Sequence, residues 1–283
     1  MKKKLLIIAG SIVAVILLFI AFLPTITKSL GVHPDYDGPT YTVEGGKALI
    51  VTTSHSVLSR PGETEGEATG VFASEMTHPY YVFLEAGMDV DVASIKGGEI
   101  PIDPSSFRYP IISDEDKRFQ NDAVFQAKVE NSIRIDDIDF AEYDVVFLAG
   151  GWGAAYDLEQ SDVLAQKISD AYYSEKETII GSVCHGALGL VNAEDLDGNL
   201  LIAGRRATGV TNSQLDSLGI AFTPRHPETE LKKAGAIFEY STAFRDVFAT
   251  HVTVDDEQRF VTGQNQNSGL EAAHKITEIL AGR

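Results

Sequence analysis

Residues 178–189 read TIIGSVCHGALG, and this stretch decides the fold class of the chain. Its first six residues are a short run, rich in β-branched side chains, of the kind found in strands buried on both faces. Small residues dominate from Gly186 onward, which indicates that a helix begins directly after the strand. A buried strand that runs straight into a helix is the unit of a parallel α/β sheet.

Two similar buried runs lie upstream, at residues 48–53 (ALIVTT) and 143–149 (YDVVFLA). Strands that alternate with helices predict a doubly wound α/β fold, with a mostly parallel sheet and helices on both faces, as in flavodoxin-like proteins. Turn-forming residues at 197–198 and 255–257 predict some additional antiparallel pairing. The helical patterns occupy residues 74–86, 162–173, 185–191 and 268–280.

The amino terminus carries a candidate membrane segment at residues 5–23, which are uncharged and mostly apolar. A helix of this length, at about 1.5 Å per residue, nearly crosses a hydrocarbon layer of about 30 Å. The segment lacks the small-x-small exit of a cleaved signal peptide, which favours an uncleaved anchor. Three lysines within residues 1–4 predict a cytoplasmic tail and an extracytoplasmic α/β domain.

These features predict a single-pass membrane protein that contacts the lipid bilayer through residues 5–23. Residues 24–46 are punctuated by proline and glycine without an apolar period, so we expect a stalk there. Residues 47–283 then form the α/β domain.

Composition excludes several kinds of protein. The formal net charge of -18 argues against a nucleic-acid surface, which needs clustered lysine and arginine. A single cysteine excludes an internal disulfide and a metal site built from cysteines alone.

Cys184 is that single cysteine, and it stands where strand and helix meet. A sharp turn at this point would form a nucleophile elbow, and the positive end of the helix would lower the thiol pKa. We therefore expect a reactive thiolate near neutral pH, although a free cysteine is also a common buried hydrophobe. His185 either accepts the thiol proton or faces solvent. The N–H groups of Gly151 and His185 together form a candidate oxyanion hole.

Four segments carry a family resemblance: residues 70–79 (GVFASEMTHP), 149–151 (AGG), 183–186 (VCHG) and 261–265 (VTGQN). With these motifs the chain resembles the ThiJ/PfpI family of the class I glutamine amidotransferase-like superfamily, in its glyoxalase III and chaperone-like branch. The resemblance extends over nearly all of residues 48–283.

The resemblance implies roles for individual residues. Glu75 would share a proton with Cys184 and act as an acid-base group, and His185 would belong to a Cys-His-acid triad. Leu215 stands where the family usually has the acid of that triad, so Asp216, one residue further on, is the nearest substitute. The triad is therefore expected to be incomplete.

A second group of residues is expected around the pocket: Gly151, Trp152, Gly186 and His78. Trp152 stands where relatives often have histidine, and Gln266 stands where they often have proline. His78 either lines the pocket or is structural.

The function that the resemblance implies is that of a cofactor-independent glyoxalase III or deglycase-like enzyme. Such an enzyme acts on small dicarbonyls such as methylglyoxal, which it converts to D-lactate, and contributes to a stress response. No metal or nucleotide cofactor is expected, and a homodimer is compatible with the resemblance. Two alternatives stay open: an amidase, peptidase or amidotransferase-like cysteine hydrolase, and a non-enzymatic membrane-tethered chaperone or thiol redox sensor.

Overall fold

Short buried runs form the strands of the chain. A computed structural model describes residues 2–283. In chain order the strands are β1 (Lys47–Thr52), β2 (Val57–Leu58), β3 (Glu67–Ala68), β4 (Asp89–Ser94), β5 (Ile133–Arg134), β6 (Val145–Leu148), β7 (Ile179–Val183), β8 (Arg206–Ala207), β9 (Ile237–Phe238), β10 (Val252–Val254) and β11 (Phe260–Gly263).

Seven of these strands form one sheet, in the order β10-β11-β7-β6-β1-β4-β5. Every neighbouring pair in it is parallel except β10 and β11, which form an antiparallel hairpin across the turn predicted at 255–257. The other predicted turn, at 197–198, is closed by one isolated bridge between Glu194 and Leu200. The predicted mostly parallel α/β sheet is therefore confirmed.

The helices are α1 (Lys2–Ser29), α2 (Ala73–Glu85), α3 (Asp114–Phe119), α4 (Ala123–Glu130), α5 (Ala154–Asp157), α6 (Asp162–Tyr172), α7 (Asn212–Leu218), α8 (Pro227–Lys233) and α9 (Gly269–Ala281). The helices predicted at 74–86, 162–173 and 268–280 are confirmed within one residue at each end, whereas α3, α4, α5, α7 and α8 were not predicted. The segment after β7, predicted as a helix from residue 185, is a 3₁₀ helix over Cys184–Leu190. Further short 3₁₀ helices are Pro104–Phe107, Ile135–Asp137, Phe140–Glu142, Asp246–Phe248 and Gln266–Ser268.

The sheet separates two apolar cores. In β1, Ala48 and Ile50 pack with residues of α2 and α9, whereas Leu49 and Val51 pack on the other face with residues of α6. Successive strand side chains point to opposite faces, so a strand covered on both sides must be apolar throughout. Burying each such branched side chain contributes about 1.5–3 kcal/mol, which is why these strands read as unbroken apolar runs.

The parallel pairing brings three strand ends to one edge of the sheet. β1, β6 and β7 are consecutive neighbours, and their carboxyl ends are followed by Thr53, Ala149 and Cys184. Ligands of open α/β sheets bind at this edge. The candidate site residues therefore meet because of strand direction, although they are far apart in sequence.

The amino-terminal helix differs from the prediction at its carboxyl end. Residues Ile7–Ser29 have a mean hydropathy of 2.8 and none is buried, so α1 is long and apolar enough to cross a membrane. The helix continues past Leu23 and through Pro24, where we expected a stalk to begin. A proline removes one helical hydrogen bond but does not always end a helix, and the Ile20 carbonyl that loses its helical donor at Pro24 accepts from the Tyr109 hydroxyl instead.

The segment after α1 lies on the α/β domain. His33 is 8% exposed, and its backbone N–H donates to Oδ1 of Asn267 at 2.9 Å. Lys28 forms an ion pair with Asp35. The predicted stalk is thus wrong in its first part, which is helical, and in its middle part, which is docked on the domain.

Candidate active site

Cys184 lies at the turn between β7 and the 3₁₀ helix that follows. Its φ is +56°, a left-handed conformation that costs a residue with a side chain about 1–3 kcal/mol. The side chain is 4% exposed. The sharp turn expected of a nucleophile elbow is therefore present, with its strain at the cysteine itself.

Glu75 reaches this cysteine from the first turn of α2. The side chain is 2% exposed, and its carboxyl group lies beside the Cys184 thiol. The close approach depends on Gly150, because a Cβ added there would lie 2.5 Å from Oε2 of Glu75 and 2.7 Å from the backbone N of His185. A side chain at position 150 would thus separate Glu75 from the elbow.

The buried pair holds protons more tightly than either group does in water. Burial raises the pKa of Glu75 to about 8, against hydrogen bonds from Cys184, Gly150 and Gly151 that lower it. Burial, and then the Glu75 carboxylate, raise the pKa of the Cys184 thiol. The expected lowering of the thiol pKa is therefore wrong: desolvation outweighs the end of a short 3₁₀ helix.

The two groups are coupled, because each negative charge opposes the other. At neutral pH the carboxyl of Glu75 is mostly protonated, and a protonated carboxyl donates a hydrogen bond to a thiolate without repelling it. Because both pKa values are raised, the pair mostly holds two protons at neutral pH. The form that has lost one of them, with the Glu75 carboxyl protonated beside a thiolate, is the nucleophilic form.

His185 lies beside the sulfur, with Nδ1 3.5 Å from Sγ. The side chain is fully buried, and burial lowers its pKa to about 3, with a smaller effect from His226. The imidazole is therefore neutral and can accept a proton at Nδ1 or Nε2. Its Nε2 is buried and has no hydrogen-bond partner within residues 2–283.

The third triad position is apolar. Leu215 is fully buried in the cluster that contains Cys184, whereas Asp216 is exposed. Successive residues of a helix point about 100° apart, so in α7 an inward Leu215 directs Asp216 outward. The structure does not bring Asp216 to His185, and this substitute for the triad acid is not supported.

The predicted oxyanion donors converge on the cysteine. The backbone N–H groups of His185 and Gly151 both act on the Cys184 sulfur and favour its charged form. Gly151 has a φ of +98°, and a Cβ there would collide with the backbone N of Phe72. The glycine therefore allows the strand exit to turn beneath α2 with its N–H beside the sulfur.

A cavity of about 170 Å³ opens above the sulfur. Of the four residues expected around a pocket, Gly151 and Trp152 line it, and the Trp152 ring meets the His185 ring edge-on at 5.3 Å between centroids. Gly186 packs instead against the Leu148 carbonyl. The full lining is Phe72, Glu75, Ser105, Ile111, Gly151, Trp152, Cys184, Gln214, Leu218, Val247 and Gln266.

His78 is not part of this lining. It is 1% exposed, its Nε2 lies 3.3 Å from Oε2 of Glu115, and its ring meets the His33 ring edge-on at 5.3 Å. The structural alternative for His78 is therefore correct, and the residue supports the segment that follows α1.

Sequence reasoning missed most of the cavity wall. Ile111 comes from an irregular loop and Val247 from a single 3₁₀ turn, Asp246–Phe248, and neither carries a periodic signal. Gln214 carries no distinguishing sequence pattern, yet it is buried and its Oε1 accepts a hydrogen bond from Nδ2 of Asn265 at 3.1 Å. The cap at Thr211 fixes where α7 begins but does not indicate which face of the helix is buried.

Comparison with known proteins finds a family and relatives that match most of the chain. The sequence profile of the DJ-1/PfpI family matches residues 68–278. Glyoxalase 3 of Candida albicans is 30% identical over 81% of this chain and 96% of its own length. A putative glutathione-independent glyoxalase of Schizosaccharomyces pombe is 30% identical over 82% of this chain and 91% of its own length.

Solved structures show the same similarity. The rapid encystment protein of 24 kDa from Francisella tularensis superposes with a TM-score of 0.75 at 32% identity, over 83% of this chain and 99% of that one. The crystal structure of glyoxalase III from Candida albicans superposes with a TM-score of 0.73 at 27% identity, over 83% and 97%.

Replacing Gly150 by alanine should disable the site. The added Cβ lies too close to Glu75 and to the backbone of His185, so we expect a stability loss of about 1–3 kcal/mol from overpacking and the separation of Glu75 from Cys184. Urea unfolding and the alkylation rate of Cys184 measure the two effects. Gly282→Ala is the control, because a Cβ there meets its neighbours at 3.5 Å or more. Equal behaviour of the two variants would contradict the proposed close approach.

The raised pKa of Glu75 predicts a specific pH dependence of stability. The folded state binds the proton up to a pKa of about 8, whereas the unfolded chain releases it near 4.5, so the free energy of unfolding falls as pH rises through this window. Glu75→Gln cannot lose a proton and should gain at least about 1 kcal/mol relative to the native protein between pH 5 and pH 8. Urea unfolding at both pH values gives this difference.

Glu85→Gln is the matched control, because Glu85 is an exposed carboxyl on the same helix. The change in its free energy of unfolding between the two pH values should equal that of the native protein. A Glu75→Gln protein that did the same would show that the carboxyl of Glu75 titrates normally.

Proposed function

Because the chain belongs to the DJ-1/PfpI family, we propose that it is a glutathione-independent glyoxalase, which converts a 2-oxoaldehyde such as methylglyoxal to a 2-hydroxy acid such as D-lactate. Relatives named as glyoxalases match most of its length. The observation that carries the proposal is the buried Glu75–Cys184 pair at the base of an apolar cavity. The proposed reaction moves hydrogen from C1 to C2 of the substrate, so it requires a nucleophile that binds C1 and an acid-base group beside it that moves the proton.

The first step is the addition of the Cys184 sulfur to the aldehyde carbon, C1. The step starts from the singly protonated pair: the Cys184 thiolate forms the C–S bond, the C=O double bond opens, and the proton held by the Glu75 carboxyl passes to the carbonyl oxygen to give a hemithioacetal. The N–H groups of Gly151 and His185, beside the sulfur, are placed to stabilise the developing oxyanion. Glu75 is left as a carboxylate.

The second step moves hydrogen from C1 to C2. The Glu75 carboxylate takes the C1 proton to form an enediol and returns it to C2, while neutral His185 carries the proton of the C1 hydroxyl to the C2 oxygen. C1 is oxidised to a thioester and C2 is reduced to an alcohol. Water then attacks the thioester, the C–S bond breaks, and the sulfur recovers its proton.

The unpartnered Nε2 of His185 favours this reaction over amide hydrolysis. Cleaving an amide requires an oriented imidazolium that protonates the leaving amine. Here burial lowers the pKa of His185 to about 3, and no carboxylate orients the ring within residues 2–283. The glyoxalase reaction releases no amine, and Glu75 carries the demanding proton transfer.

The direct test is the loss of methylglyoxal and the gain of D-lactate without glutathione, measured with the full-length protein in detergent. Cys184→Ala should reduce turnover to background, because no thioester can form. Glu75→Gln should lower kcat by at least about a hundredfold, the typical contribution of a general acid-base group. Absence of turnover by the native protein, with its thiol intact, would overturn the assignment.

Asp216→Asn is the matched control for these variants. Asp216 is exposed and lies outside the cavity, so its kcat/KM should stay within about twofold of the native value. A loss as large as that of Glu75→Gln would restore Asp216 as the acid of a triad.

We further propose that α1 anchors the enzyme in a membrane with the α/β domain outside the cytoplasm. Support comes from the unburied apolar span Ile7–Ser29 and from the lysines that precede it. Small carbonyl compounds at the outer face of a membrane would then be the substrates that the enzyme meets.

Protease digestion of intact spheroplasts tests this orientation. A carboxyl-terminal tag should be digested from the outside without cell lysis. A variant with glutamine at positions 2–4 should show mixed orientation, because it lacks the positive charges that hold the tail inside. Full protection of the tag in the native protein would place the domain in the cytoplasm, and release of the protein into the medium would indicate a cleaved signal sequence.

A further inference from the structure

The cavity above Cys184 is larger and more apolar than a three-carbon substrate requires. Its volume is about 170 Å³, and an apolar cavity of about 150 Å³ already holds a benzene ring. Away from the reacting groups, its wall is formed mainly by Phe72, Ile111, Trp152, Leu218 and Val247. Space therefore remains beside a bound 2-oxoaldehyde group, and the apolar wall around that space favours a hydrocarbon substituent over a polar one.

The apolar wall continues to the surface at the mouth of the cavity. Ile111 is 39% exposed and Leu218 is 40% exposed, although both line the cavity. Phe244, in the loop that supplies Val247, is 97% exposed. A group of exposed apolar side chains marks a surface that binds an apolar partner. At the mouth of an active site, the apolar tail of a substrate is such a partner.

The two loops that supply this mouth both contact the segment around α1. The Tyr109 hydroxyl, next to Ile111 in its loop, donates to the backbone carbonyl of Ile20 within the apolar helix. On the other side, Asn267 accepts from the His33 N–H at 2.9 Å and donates to the Val247 carbonyl at 2.7 Å. The mouth is thereby fixed beside the carboxyl end of the candidate membrane helix.

Tyr109 has the character of a residue at a membrane surface. It is 53% exposed, and tyrosine is enriched where an apolar layer meets water. If residues 5–23 of α1 span the bilayer, Ile20 lies three residues before the end of the span, about 4.5 Å along the helix, so its contact sets the Tyr109 loop near the lipid–water boundary. The cavity then opens toward the surface of the bilayer.

We propose that the preferred substrate is a 2-oxoaldehyde with an aliphatic tail, a compound that partitions into lipid, and not methylglyoxal itself. This inference rests on the proposed function and uses the same chemistry: the sulfur adds to C1, hydrogen moves from C1 to C2, and water releases the 2-hydroxy acid. The tail fills the apolar side of the cavity and crosses the rim at Ile111 and Leu218.

The test compares methylglyoxal with 2-oxohexanal, which adds three methylenes, on the full-length protein in detergent. Each methylene that leaves water contributes up to about fourfold to kcat/KM. We expect kcat/KM for 2-oxohexanal to exceed that for methylglyoxal at least about tenfold. A ratio of one or less, with methylglyoxal turned over, would overturn this inference and leave the glyoxalase proposal intact.

Leu218→Ser tests the rim, with Leu196→Ser as the matched control, because Leu196 is also an exposed leucine but lies outside the cavity. The ratio of the two kcat/KM values should fall at least about threefold in Leu218→Ser, as one or two methylenes lose contact, and should not change in Leu196→Ser. An equal ratio in both variants would contradict a tail at the rim. If neither aldehyde is turned over by the native protein, the proposed function fails, and this inference fails with it.

Discussion

The structure of the site depends on burying a carboxyl group and a thiol in contact. Neither group ionises easily out of water, so the pair retains a proton that in solution the carboxyl would lose. Bringing Glu75 to Cys184 places strict demands on the backbone between them. Position 150 must lack a side chain, and Cys184 must adopt a left-handed φ of +56° to turn its sulfur toward α2. The rigid parallel sheet supports this strain, because both strand ends are fixed by their neighbours.

This pairing also explains why His185 tolerates an apolar surrounding. Because Glu75 is the acid-base group beside the thiol, the imidazole does not need a permanent positive charge, and burial lowers its pKa to about 3. A carboxylate at position 215 would raise that pKa and orient the ring, as a triad acid does. Leu215 instead contributes to the apolar core around Cys184. The proposed chemistry thus relies on Glu75 beside the sulfur. Among residues 2–283, no carboxylate pairs with Nε2 of His185.

The sequence predicts the three central strands β1, β6 and β7, because burial on both faces forces unbroken apolar runs such as residues 48–53. It does not predict β4, whose aspartates interrupt the apolar run. It predicts the site only where a local signal exists. The pKa of the thiol depends on burial and on Glu75, which is distant in sequence, so the helix end alone suggested the wrong direction. Asp216 was one residue out of phase with the inward face of α7. Ile111 lies in a loop and Val247 in a single 3₁₀ turn, and no local pattern encodes the packing of either. The helix continues past Pro24 because the Ile20 carbonyl, which the missing N–H of Pro24 leaves without a helical donor, accepts a hydrogen bond from the Tyr109 hydroxyl.

The same physical features distinguish an enzyme from a thiol sensor. Oxidation by peroxide requires a thiolate that is accessible to solvent. Cys184 is 4% exposed, and both burial and the charge of Glu75 raise its pKa, so the resting thiol resists oxidation. A substrate that enters the cavity changes this balance, because its carbonyl oxygen takes the proton that the pair holds. The nucleophile is therefore activated by the substrate that it attacks, which suits catalysis and does not suit sensing.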